Sequence, residues 1–176
     1  MKHQIFITNW GTASSGKSAS IRYAFELLRD RYPSTTTVLL PTTGYNPTGD
    51  VKAVVEIFTP CGKSVKVGIE SYGDTADRVK ESINDFIARG CDIILNACHT
   101  SGNTMKAILA MQPSGWQVIW MSNARMKMGR LNIANPVSHQ APLTNADKLL
   151  QDKFNRDYAH YAVALIERLV LNDGVI

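Results

Sequence analysis

The chain contains no unbroken apolar run near the eighteen or so residues that a membrane span needs, so no spanning helix is expected. Its start reads straight into a strand rather than a cleavable leader, and the expected location is cytoplasmic. Cysteine is scarce: Cys61, Cys91 and Cys98 are odd in number, lie apart and form no CxxC or Cys/His spacing suited to zinc. They read as reduced and structural. Internal repeats, low-complexity tracts and charge blocks are also missing, and the Pro/Gly-rich stretches are only loop-sized. Nothing marks a linker, so residues 1–176 are expected to form a single domain. Acidic residues are the minority, 15 against 19 Lys and Arg, for a formal net charge of +4. That balance suits a polyanion, but the phosphates of a small ligand satisfy it as well as DNA would. No aromatic stacking platform interleaves with the basic residues, which argues against a nucleic-acid partner.

What is present alternates between two periods. Gln4 to Thr8 is a short β-branched apolar run and reads as a buried strand. From Lys17 to Arg31, Ile21, Ala24, Phe25 and Leu28 recur at helical spacing, and Pro33 follows where a helix must have stopped. Thr36 to Leu40 reads as a second strand, closed by Pro41 and followed by a surface loop, Thr42 to Asp50. Val51 to Phe58 and Ser64 to Glu70 flank a five-residue connection and predict a hairpin. Ala76, Val79, Ile83, Phe86 and Ile87 share a helical face that ends at Gly90, in the place of a left-handed cap. Cys91 to Ala97 and Gln117 to Met121 are almost wholly apolar, as central parallel strands are, with a helix expected between them over Asn103 to Met111. A last helix, Ala146 to Leu171, carries Leu149, Leu150, Phe154, Tyr161, Leu165 and Leu169 along the side expected to pack on the sheet. Alternating strands and helices imply a layered α/β fold, with ligands expected at the carboxyl ends of its strands.

One such end carries Gly11-Thr12-Ala13-Ser14-Ser15-Gly16-Lys17-Ser18, which fits G-x-x-x-x-G-K-[ST] without a gap, between a strand and a helix. Its glycines permit a tight path that turns successive N–H groups inward, and the helix start adds partial positive charge, so together they cradle an anion. Lys17 is expected to reach the β- and γ-phosphates, and the Ser18 hydroxyl to supply one ligand to Mg²⁺. With this motif the chain resembles the P-loop NTPase superfamily, whose Walker A motif is these eight residues. The resemblance implies ATP or another nucleoside triphosphate with Mg²⁺. It also implies a three-layer sandwich with a mostly parallel sheet, helices on both faces and, here, one β-hairpin.

Members of that superfamily carry an acid at the end of a second apolar strand, beside the magnesium. Glu70 ends Val65 to Ile69 here, and Glu70-Ser71-Tyr72-Gly73 is similar to the D-x-x-G turn of GTPases with Glu for Asp. Glu70 has two readings, a magnesium-shell or catalytic residue and a solvent-facing strand end. Asp74 is an alternative metal ligand or a helix N-cap. His99, Thr100 and Asn103 follow the next strand, where the resemblance implies a group sensing the γ-phosphate; a surface loop is the other reading. The guanine-reading N-K-x-D pattern is missing where Asn96-Ala97-Cys98-His99 stands, which favours adenine. The long connection Asn123 to Asn145 holds Arg125, Lys127 and Arg130, and Arg125 and Arg130 read either as lid arginines closing over the phosphates or as a solvated basic surface. The expected activity is a small Mg-dependent ATPase or phosphotransferase, with Lys17, Glu70, Arg125 and Arg130 as catalytic candidates and Ser18, Glu70 and Asp74 as metal candidates. A nucleotide-dependent switch with little turnover is the alternative. In the enzyme reading a small-molecule acceptor would sit near the loops Thr42 to Asp50 and Asn123 to Asn145; in the switch reading a protein partner would bind differently in the triphosphate and diphosphate states.

Overall fold

The structure, a computed structural model, describes residues 4–12, 15–41, 46–99, 102–122 and 145–171. Among the described residues, six strands form one sheet: β1 (Gln4–Gly11), β2 (Thr36–Leu40), β3 (Lys52–Phe58), β4 (Ser64–Glu70), β5 (Ile93–His99) and β6 (Trp116–Ser122). Four α-helices accompany them among the same residues: α1 (Lys17–Arg31), α2 (Ala76–Ala88), α3 (Asn103–Leu109) and α4 (Asn145–Leu171). The strand order is β2-β3-β4-β5-β1-β6. No helix among the described residues is long and apolar enough to cross a membrane.

The sheet is mixed. β4, β5, β1 and β6 run parallel, whereas β2, β3 and β4 form an antiparallel meander. The hairpin expected at β3 and β4 is present, but β2 pairs antiparallel too, so the antiparallel share is larger than one hairpin supplies. The short connections from β2 through β4 explain this, because a parallel neighbour needs a crossover of a dozen or more residues. β6 is an edge strand rather than the central one its apolar run suggests, and three of its seven residues are only half-buried.

Alternating side chains send β1, β4 and β5 into two cores. Ile5, Ile7, Val67, Ile69, Ile93 and Leu95 meet α1 and α4 on one face, while Phe6 and Ile94 meet α2 and α3 on the other. The α1 face is the expected one: Ile21, Ala24, Phe25 and Leu28 are fully buried. That of α4 is not. Its buried stripe runs through Gln151, Asn155, Tyr158, Ala159, Ala162, Val163, Ile166 and Val170, whereas Leu149 and Tyr161 are 74% and 64% exposed. Small Ala and Val side chains let α4 lie close on α1, and the larger residues flank the contact.

Candidate functional site

β1 ends in Gly11 and α1 begins at Lys17, so the motif spans a strand-to-helix junction. Gly16 stands at φ +86° immediately before the helix, a conformation that L side chains rarely adopt. The Lys17 ammonium folds back to donate to the Thr12 carbonyl at 2.7 Å. Burial pulls this amine below its ordinary value, and the nearby Asp74 and Cys98 offset part of the effect. The Cys98 thiol, pushed up to about 11 by its own burial, stays protonated at neutral pH. Asn9 ties strand to helix through its amide, which donates to the Lys17 carbonyl at 3.3 Å. The Ser15 hydroxyl is buried without a partner among the described residues. Ala13 and Ser14 lie outside those residues.

A cleft of about 530 Å³ opens over this junction, lined by Ser15 to Ala19, Arg22, Asp74, Ala97 and His99. Arg22 sits one helical turn beyond Ser18 and makes no ion pair with any described residue. Among the described residues, two cationic side chains thus face one carboxylate at the cleft. The sheet register explains which loops reach the cleft. Gly11 pairs with His99, so the tips of β1 and β5 are level, whereas Glu70 at the end of β4 pairs with Asn96. Glu70 therefore stops three residues short of His99, about 10 Å back at 3.3 Å per residue. The chain after β4 closes this gap, because Gly73 lies directly on β5: an ideal Cβ on it would be 2.2 Å from the Ala97 carbonyl oxygen. Only glycine allows that approach, which carries Asp74 to the cleft with one oxygen 3.4 Å from His99 Nε2. Thr75, not Asp74, occupies the N-cap of α2.

Of the two acids singled out from the sequence, Asp74 thus shares the cleft with Lys17 and Ser18. Glu70 does not line it. It is 3% exposed, faces α2 and accepts a hydrogen bond from Ser82 Oγ at 2.8 Å. Burial raises its pKa, against the opposing effects of the Ser82 hydrogen bond, Lys52 and Arg78. Lys52, opposite Glu70 across the hairpin, places its ammonium 2.8 Å from Asp85. His99 lines the cleft and its backbone N–H donates to Thr104 Oγ1 at 3.2 Å. Asn103 starts α3 without lining the cleft. Thr100, Arg125 and Arg130, and most of the loop Asn123 to Asn145, lie outside the described residues, as do residues 42–45.

Magnesium bound with a nucleotide asks the protein for one or two oxygens and takes the rest from phosphate and water. Ser18 and Asp74 at the cleft fit that demand. Among the described residues no three His, Cys, Asp or Glu side chains assemble into a site that would hold a metal by themselves.

Three contributors are not legible in the sequence: Arg22, Gln151 and Asn155. Gln151 Nε2 donates to the Ser15 carbonyl at 3.1 Å, and Asn155 Oδ1 accepts from Gln151 Nε2 at 3.1 Å and lies 3.2 Å from Ser20 Oγ. The one signal for the two amides is the i, i+4, i+8 series Gln151, Asn155, Ala159 along one stripe of α4. Comparison of the chain with protein-family models, with curated proteins and with solved structures yields no match.

Proposed function

We propose that this chain binds Mg·ATP in the cleft at Gly11 to Ser18 and acts as a small ATPase or phosphotransferase. The observation that carries the reading is the strand-to-helix junction itself: a positive-φ Gly16, a largely buried Lys17 and the start of a fifteen-residue helix converge on one cleft. In that cleft the loop amides and helix N-terminus hold the phosphates, and Lys17 neutralises them once it leaves the Thr12 carbonyl. Ser18 and Asp74 take the magnesium side, Arg22 adds a second cation, and His99 stands beside Asp74. Glu70 stays out of the cleft, bonded to Ser82 of α2. The base is adenine, since the N-K-x-D pattern of guanine readers is missing.

The test is thermal unfolding with ATP and GTP, each with and without Mg²⁺, in the wild type and Lys17→Ala. Ligand at a hundred times its Kd stabilises by about 2.7 kcal/mol, a shift of several degrees. We expect such a shift with Mg·ATP, less with Mg·GTP and none in Lys17→Ala. No shift with any nucleotide would sink the reading. A shift without ADP or a phosphorylated product across a panel of acceptors would leave a nucleotide-controlled binding protein instead of an enzyme.

A further inference from the structure

We infer that Gln151 and Asn155 of α4 are positioning residues that aim the phosphate-loop amides into the cleft, an inference that rests on the nucleotide reading of that cleft. A trans peptide is planar, and its C=O and N–H point in opposite directions. Gln151 Nε2 holds the Ser15 carbonyl toward α4 at 3.1 Å. The N–H of the same peptide unit belongs to Gly16 and is thereby turned away from α4. The next unit is held in the same way: the Gly16 carbonyl accepts from the Ser20 amide at 2.9 Å and lies 3.1 Å from Ser20 Oγ, which fixes the Lys17 N–H at the mouth of the helix. Asn155 joins the two units, because its Oδ1 contacts both Gln151 Nε2 and Ser20 Oγ.

Both side chains are largely buried, 7% and 5% exposed, and burying an amide is costly unless it is hydrogen-bonded. A helix that only packed on α1 would place apolar residues here, as α4 does from Ala159 onward. The close fit is reciprocal, since an ideal Cβ on Gly16 would stand 2.3 Å from Asn155 Oδ1. The left-handed Gly16 and the amide beneath it form one unit, and α4 presets the loop that α1 begins.

Gln151→Met keeps the side-chain volume and removes the donor; Asn155→Ala removes the bridge and carries the same prediction should Gln151→Met fail to fold. Tyr23→Phe is the control, because it removes a different α1–α4 hydrogen bond, to Asp152, on the outer side of the helix pair. In the nucleotide-free protein, ¹⁵N relaxation at Gly16 and Lys17 should show order parameters falling from about 0.85 to below about 0.6 in either variant. Exchange of the Ser20 amide should rise about tenfold, and Mg·ATP should bind about tenfold more weakly, with Tyr23→Phe unchanged in all three. Unchanged loop dynamics in both variants, or an equal response in Tyr23→Phe, would overturn the inference. If the loop loosens as expected while the wild type binds no nucleotide, the nucleotide reading fails and α4 still positions the loop.

Discussion

Glu70 and Asp74 stand four positions apart and in different environments. Glu70 is enclosed by α2 and donates nothing to the cleft, and its burial favours the protonated acid in the folded chain. A carboxyl whose folded pKa is raised binds its proton more tightly folded than unfolded. Its contribution to stability is therefore fully present below the unfolded pKa and is lost as pH rises through the folded one. Glu70→Gln does not titrate and still offers Ser82 an acceptor. Urea unfolding at pH 4 and pH 8 should accordingly show the variant gaining on the wild type as pH rises, with the change concentrated between the ordinary carboxyl value and the raised one. A difference that shrinks with rising pH would mean that the Lys52 and Arg78 charges outweigh burial.

Two glycines show how an element delivers a residue. Gly90 ends α2 at φ +73° with nothing within 4 Å of the place a methyl group would take, so it supplies only backbone freedom. Gly90→Ala should cost about 1 kcal/mol in urea unfolding and leave nucleotide affinity alone. Gly73 instead sits against the Ala97 carbonyl, where a methyl has no room. Gly73→Ala should cost roughly 1–3 kcal/mol, and it should also weaken Mg·ATP because Asp74 is pushed off the cleft. Equal nucleotide affinity in Gly73→Ala and Gly90→Ala would break the link between the turn and the site. The same elements show what the sequence could reveal. The motif and α1 are legible because their information is local: a fixed spacing, a helical stripe, a proline after the end. The choice between Glu70 and Asp74 is not, because it depends on β4 stopping short of β5, and no single strand records the register of its neighbour. The edge position of β6 escapes for the same reason. Gln151 and Asn155 are hidden because the leucines of α4 suggest one stripe, whereas the packed stripe carries two amides and Tyr158 ahead of a run of mostly small Ala and Val side chains.

At the scale of the whole molecule, the described elements share one sheet whose strands feed both cores, Phe6 into one and its neighbours Ile5 and Ile7 into the other. Neither helical layer can leave without baring a sheet face, so the chain should unfold as one cooperative unit. Two probes divide the molecule conveniently. Trp116 is buried against Phe6, ring centroids 4.5 Å apart, and reports the α2 and α3 side by fluorescence. Far-UV circular dichroism is weighted toward α4, the longest helix, on the opposite face. Their urea midpoints should coincide, and saturating Mg·ATP should move both by the same amount, because the phosphate loop is joined to β1, α1 and α4 at once. A dichroism loss that precedes the fluorescence change would mean that α4 detaches as a separate unit. Nucleotide should then raise the dichroism midpoint more than the fluorescence midpoint, since in the proposed reading the loop that α4 braces is the part the ligand holds.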